Sequence, residues 1–268
     1  MSSNNFKPLR NKVVDKAKED ILELGQELFH PGFSVDCVIF GFHENQLKVL
    51  LLKMKHIDIW ALPGGFVLKE EDVEDAATRV LQSRTGLDNI FLRQFHLFGQ
   101  PGRSKHDFNA ELLKKRQVPF DGSHWFLQRF MTLGFYALVE YSSATPRPDN
   151  NSDACEWWDL QQVPALMQDH NQILDKALEA LRLQLAYQPI GYNLLAEKFT
   201  MPELQKLYET ILGKQLDRRN FQRKMLTYDI LERLDERRSG VAHKAPYLYR
   251  FNQEKYQQAL QQGLQGGW

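Results

Sequence analysis

The segment from Gly65 to Leu87 gathers the side chains of this chain best suited to work on a phosphate ester. Four carboxylates, Glu70, Glu71, Glu74 and Asp75, fall where Val73, Ala76, Ala77, Val80, Leu81 and Leu87 take up helical spacing. Carboxylates so grouped could hold a hard cation such as Mg²⁺, whose ligands are oxygens. A metal held there could activate water against a diphosphate. The same residues at a helix start also simply meet the positive end of its dipole, and this capping role is the favoured reading. Farther along the helix no carboxylate follows, and the next turns present Val80, Ser83 and Arg84 instead. Valine and serine bring no charge, Arg84 would repel a cation, and Val80 prolongs the apolar stripe. The expectation is a helix whose later turns serve packing and supply no metal ligands.

A second chemical grouping lies near the C-terminus. Arg218, Arg219, Asn220, Arg223 and Lys224 follow Asp217, a good N-cap, while Phe221 and Met225, with Leu226, are expected to face inward. Arginines in a first turn oppose the helix dipole, so their presence argues for an external polyanion. Arg, Asn and Gln side chains on one face and apolar ones on the other are what a major-groove helix needs. The alternative is a solvated basic helix at a protein interface. Ahead of it, Thr200 and Glu203 form a capping-box pattern, Leu204, Leu207, Tyr208, Ile211 and Leu212 an apolar face, and Gly213 a stop. Behind it, residues 233–251 read as a two-stranded ribbon with Arg237, Arg238, His243 and Lys244 near a Ser239, Gly240 tip. Helix, tight turn, basic helix and basic hairpin make a winged helix-turn-helix. Arg218, Arg219, Asn220, Arg223, Lys224, Arg238 and Lys244 are therefore the candidate DNA contacts.

The elements ahead of this module alternate in type. Residues 13–29 suggest a short amphipathic helix. Val35 to Phe42 and Gln46 to Met54 read as strands joined at Glu44 and Asn45. Trp60 to Val67 approaches the carboxylate helix through Gly64 and Gly65. Strands follow within 89–101, 125–141 and 156–160, and residues 164–187 read as a helix. Strands, helix, strands, helix predicts an α/β fold with a mixed sheet rather than a dinucleotide-binding sheet. Residues 102–123 are charged and aperiodic. A loop that long is either a lid over an effector site or a solvated insertion. The expected division is an extension at 1–33, a sensing domain at 34–188 and a winged helix at 189–268.

Bulk properties agree with a soluble globular protein. The 268 residues are 43% hydrophobic and 25% charged, and carry two cysteines, Cys37 and Cys155, expected as reduced, buried thiols. No apolar run nears the ~20 residues of a membrane span. The polar start from Met1 to Lys12 lacks a signal-peptide core, so a cytoplasmic protein is expected. Net charge is zero, yet residues 1–191 carry 21 basic against 25 acidic side chains and residues 192–268 carry 13 against 9. A basic end on an acidic body suits a polyanion partner.

Gly65, Glu71, Arg79, Leu81, Gly86 and Leu87 keep the register of the Nudix box of pyrophosphohydrolases, whose remaining glutamates would fall at Val80, Ser83 and Arg84. From Val35 to Phe251 the chain resembles the Nudix-related transcriptional regulators of NrtR type. That resemblance rests on Phe40 to Phe42, Leu50 to Leu52, Pro63 to Val67, the degenerate box, Pro189 to Gly191, Phe199, Thr200, Leu204, Leu207, Tyr208, and Asp217, Arg219, Asn220 and Phe221 followed by Lys224. It implies a Nudix-type α/β/α sandwich followed by a winged helix. It also implies a homodimer on a palindromic operator and a small-molecule effector. No catalysis, metal or cofactor is expected. The effector is either an arabinose-type pentose or an ADP-ribose-like nucleotide, with the Gly64, Gly65, Phe66, Val67 stretch and Val80, Leu81 closer to the sugar branch. Trp60, Phe66, Arg103, Arg129, Asp169 and His170 are the candidate effector contacts, because pockets pair aromatic walls with a few polar groups. His170 alternatively reads as a satisfied helix-end residue. Trp157 and Trp158 read as one core and one surface side chain. The competing function is a residual Nudix hydrolase using Glu70, Glu71, Glu74 or Asp75, and a third is a protein-binding scaffold.

Overall fold

A computed structural model describes residues 21–87, 90–185, 188–238 and 245–263. Strand β1 (Phe29–His43) turns into β2 (Gln46–Met54) through Glu44 and Asn45, whose φ angles are 48° and 63°. Two successive left-handed residues match the right-handed twist of a tight hairpin. The short β3 (Trp60–Ala61) and β4 (Gly64–Leu68) lead into helix α2 (Val73–Thr85), preceded by α1 (Ile21–Leu28). After β5 (Phe91–Phe98) come α3 (His106–Lys115), β6 (Met131–Glu140), β7 (Ser152–Asp159) and α4 (His170–Leu185). The sheet runs β3-β2-β1-β6-β5, with β4 also on β1 and β7 on β2. Strands β1 and β6 are parallel from Phe33 beside Met131 to Phe42 beside Glu140, and the other pairs are antiparallel. The sheet is mixed, as the element order predicts.

Alternation along β1 decides what covers each face. Val35, Cys37 and Ile39 pack with Ala76, Ala77, Val80 and Leu81 of α2. Val38 and Phe40 meet Ile173, Leu174, Ala177 and Leu181 of α4 on the other face. With both faces covered, the strand centre is fully buried and reads as an unbroken apolar run rather than an alternating one.

The same apolar core continues into the C-terminal module through Ile190, Leu194, Leu207, Tyr208 and Ile211. Polar contacts fix this docking: Arg182 Nε donates to the Ile211 carbonyl at 2.8 Å, and Thr210 Oγ1 to that of Asn45 at 3.1 Å. The module comprises β8 (Phe199–Thr200), α5 (Met201–Leu212), α6 (Arg218–Thr227), β9 (Leu231–Arg237), β10 (Tyr247–Phe251) and α7 (Gln253–Gln262), with sheet order β8-β10-β9. Thr200 and Glu203 close the capping box, and Gly213 (φ 68°) ends α5. Among the described residues no helix is long and apolar enough to cross a membrane.

Several expectations change. Residues 106–115 are helical, where the sequence reads as loop. Helix α4 begins only at His170, because Pro164 to Asp169 lead into it. Leu226 is exposed, since one residue beyond Met225 rotates it about 100° off the buried stripe. Trp157 and Trp158 are both half-buried, on opposite faces of β7. Helix α7 has no counterpart in the sequence reading. Residues 13–20, and Ser239, Gly240, His243 and Lys244, lie outside the described residues. Cys37 and Cys155 are free and buried, and burial pushes the Cys155 thiol up to about 11.

Candidate effector site and nucleic-acid interface

A cavity of about 170 Å³ opens beside the N-terminal end of β1, between the glycines of β4, the end of α2 and helix α3. Gly64 is required there because a Cβ would come within 2.4 Å of Asp36 Oδ1. Phe66, Phe108, Phe126 and Phe130 line the cavity. Phe66 is the hub of this aromatic wall, with ring centroids 4.9 Å from Trp125 and 5.3 Å from Phe130. Such tilted and edge-on pairs are favourable beyond their buried area.

The polar side of the cavity is a buried charge network. Arg103 Nε and Nη2 donate to both Asp169 oxygens at 2.9 and 3.0 Å, and Nη1 donates to the Phe130 carbonyl at 3.1 Å. Asp36 Oδ2 lies 3.6 Å from the same guanidinium. His170 Nδ1 accepts from the Leu62 amide at 2.9 Å, while Nε2 stands 3.8 Å from Asp36 Oδ1. An accepting Nδ1 places the proton of a neutral ring on Nε2, toward Asp36. His170 is thus satisfied at the start of α4 and also lines the cavity. Of the candidate effector residues, Phe66, Arg103 and His170 line the cavity, and Asp169 supports it through Arg103. Trp60 does not line it and instead stacks edge-on against Trp158 at 5.0 Å. Arg129 also stays away, with its side chain in solvent.

The charged segment 102–123 resolves toward the cavity. Arg103, Ser104, Phe108, Asn109, Leu112 and Arg116 all line it. Helix α3 has no side-chain cap at Lys105. Its place is set by tertiary contacts, among them Asn109 Nδ2 donating to the Phe126 carbonyl at 2.9 Å. Arg116, Asp149 and Asn151 also line the cavity and were not anticipated; Arg116 Nη2 donates to Asn151 Oδ1 at 2.5 Å.

Three carboxylates of the box, Glu71, Asp72 and Glu74, are engaged otherwise, and Glu70 is exposed. Glu71 takes a bidentate pair from Arg79, at 2.7 Å to each oxygen, and accepts the Leu68 amide at 3.1 Å. Asp72 caps α2 through the Glu74 amide at 3.0 Å. A shared hydrogen bond with Asp72 raises the Glu74 carboxyl above its usual range. Val80 is buried, and a Cβ on Gly65 would come within 2.9 Å of it, so a carboxylate at position 80 would sit dry against β4. Among the described residues no group of three His, Cys, Asp or Glu side chains converges on one point. This donor set does not fit a divalent metal.

Arg84 fills one of the box positions. It is 6% exposed and lines the cavity. Its Nη2 donates to Asp149 Oδ2 at 2.5 Å, and its Nε, buried, finds no partner among the described residues. A buried donor left open costs roughly 1–3 kcal/mol. Burial alone would raise the Asp149 carboxyl. The Arg84 charge and hydrogen bonds from Ser152 and Asn151 outweigh it and hold the group below the usual carboxylate range.

The second candidate surface is α6. Asp217 Oδ1 accepts the Asn220 amide at 2.9 Å and starts the helix. Gln205 Nε2 and Glu209 Oε1 fix Leu216 at 2.9 Å each, setting the turn from α5. Phe221 and Met225 are buried, which leaves Arg218, Arg219, Asn220 and Arg223 exposed. Arg223 Nη2 donates to Asn220 Oδ1 at 3.0 Å, so the two present one polar edge. Lys224 is half-buried, and desolvation lowers its pKa. Arg238 pairs with Glu203 and ties the wing to the start of α5. Lys244 lies outside the described residues. Arg237 and Arg233 lie over the Tyr247 ring, at 4.1 and 4.7 Å from its centre.

A sheet sandwich bearing a box helix, followed by a helix-turn-helix with a wing, defines a Nudix domain joined to a winged helix. Residues 30–181 match the family described as "NUDIX domain", and residues 191–251 match "NrtR DNA-binding winged helix domain". The "ADPR responsive transcriptional repressor NtrR" of Acinetobacter baylyi is 30% identical over 84% of this chain and 84% of its own. The "ADP-ribose pyrophosphatase" of Methanocaldococcus jannaschii is 25% identical over 54% of this chain and 72% of its own. The crystal structure of Shewanella oneidensis NrtR complexed with a 27mer DNA superposes with a TM-score of 0.67 at 25% identity, covering 88% of this chain and 99% of that one. The chain belongs to the NrtR-type family of Nudix-related transcriptional regulators.

Proposed function

We propose that this chain is a transcriptional repressor that binds operator DNA through its winged helix and responds to ADP-ribose or a close nucleotide relative. The observation that carries the reading is the presence in one chain of α6, with Arg218, Arg219, Asn220 and Arg223 exposed, and of a cavity lined by phenylalanines and guanidiniums. Aromatic faces suit a nucleobase and guanidiniums suit a diphosphate. A neutral pentose would bring no anion to the buried Nε of Arg84, unpartnered among the described residues, so the nucleotide is preferred to the sugar. The Acinetobacter and Methanocaldococcus relatives are both named for ADP-ribose, which supports the same choice.

In this reading Arg219, Asn220 and Arg223 face base edges, and Arg218, Lys224, Arg238 and Lys244 meet phosphates. The boundaries near residues 34 and 189 separate sensor from reader. Two chains form a homodimer on a palindromic operator, and the protein acts in the cytoplasm. In this reading the Nudix domain does not hydrolyse its ligand, because no carboxylate set among the described residues fits a metal. The test is selection of duplexes from sheared genomic DNA with the purified chain, followed by mobility shifts with and without ADP-ribose. Enrichment of a palindromic site, with binding altered by ADP-ribose but not by arabinose, is expected. Release of a phosphate-containing product from ADP-ribose and Mg²⁺ at ordinary enzymatic rates would overturn it.

A further inference from the structure

We propose that Arg84 is the anion-binding residue of the cavity: its guanidinium grips the diphosphate of the ligand directly and makes binding independent of a divalent cation. This rests on the nucleotide reading of the cavity and names the group that would recognise it.

Three observations converge. First, Arg84 occupies a box position from which a carboxylate would serve a metal, and the surrounding donor set cannot hold one. Inverting the charge at that spot removes the need for an ion between protein and phosphate, since the guanidinium is itself the cation. Secondly, the side chain is held in place. The Arg147 amide donates to the Arg84 carbonyl at 2.9 Å, and the neighbouring Thr145 amide to that of Thr85 at 2.9 Å. At the other end Asp149 holds Nη2, and Asp149 is itself held by Ser152 Oγ at 2.7 Å and the Asn151 amide at 2.9 Å. Thirdly, one donor is left open: Nε is buried, unpartnered among the described residues, and belongs to a residue lining the cavity. A planar fork fixed on one edge with a donor to spare is pre-organised for an oxyanion. A phosphate oxygen there would complete the set, while Asp149 balances the charge in its absence. Lysine would not substitute, because it lacks the fork.

The experiment is isothermal titration calorimetry of the full chain with ADP-ribose, in EDTA and again in Mg²⁺. Wild type should bind with less than a twofold difference between the two conditions. Arg84→Gln should weaken binding about tenfold or more and leave adenosine, which has no phosphate, unaffected. Because Arg84→Gln strands a half-buried Asp149 and could unfold the chain, the paired variant Arg84→Gln/Asp149→Asn removes both charges. Its thermal unfolding confirms the fold, and it should show the same loss. Binding of ADP-ribose that needs Mg²⁺, or that the folded paired variant retains in full, overturns the role of Arg84 and leaves the nucleotide reading standing. A wild-type chain that binds neither ADP-ribose nor inorganic pyrophosphate overturns both.

Discussion

Arginine serves two regions of this molecule in opposite ways. In the cavity, Arg84 and Arg103 are buried and face carboxylates, Asp149 for the first and Asp169 with Asp36 for the second. On α6, Arg218, Arg219 and Arg223 stand in solvent over a buried Phe221 and Met225. The buried arginines have already lost their water, so their energy lies in fixed geometry and little of it responds to salt. The exposed ones keep their hydration and counter-ions until a polyanion arrives, so their contribution is electrostatic and salt-dependent. One residue type thus gives a fixed, dry charge network in one region and a hydrated cationic surface in the other. Burial decides which.

Four variants probe that contrast, from the strongest effect down. Arg103→Ala leaves Asp36 and Asp169 buried without their partner and should cost about 3–5 kcal/mol of stability, measured by denaturant unfolding. A loss below about 1 kcal/mol, the range of an exposed pair, would mean that the cavity network is solvated after all. Arg219→Ala with Arg223→Ala should leave unfolding within about 0.5 kcal/mol of wild type. The pair should weaken operator binding by about 1–3 kcal/mol for each base edge these arginines read; unchanged mobility shifts would break the assignment of α6.

Asp149→Asn tests the buried side through pH. The folded carboxyl lies below its ordinary range, so its contribution is fully present above that range and drains away as pH falls through the lower folded value. Wild type should therefore lose stability on acidification below about pH 4. The variant, less stable throughout because Arg84 has lost its carboxylate, should show a shallower acid loss, and the two should have the same flat pH dependence between about pH 6 and 8. Smallest of all, Lys244→Ala should weaken binding evenly across DNA sequences and reduce the salt slope by about one. A sequence-dependent effect would make Lys244 a base reader.

Legibility differed between the same two regions. The α6 surface was plain in the sequence because a capped amphipathic helix sorts its side chains by local periodicity. The cavity was only partly legible. Phe66, Arg103, Asp169 and His170 were named without any signal that would bring them together, and Trp60 and Arg129 were named with them and lie elsewhere. Helix α3 was missed because Lys105 supplies no cap and so short a stretch does not declare a period. Phe108, Leu112 and Leu113, at spacings of four and five, were the faint signal available. Asp36 and Asp149 were hidden because an acidic residue in a strand or a turn is ordinarily solvent-facing.

The chain order of residues alone determined the mixed sheet, the capped helices, the loss of carboxylates from the box and the cationic face of α6. All of these depend on neighbours within a few positions or on residue type. Tertiary structure decided which charges are dry. It brought Arg84 to Asp149 and Arg103 to Asp169 across more than sixty residues of chain, folded α3 against the aromatic wall, and made the end of the box helix one side of a pocket. Long-range pairing of this kind is settled by desolvation and close packing in the assembled core, which no local pattern encodes.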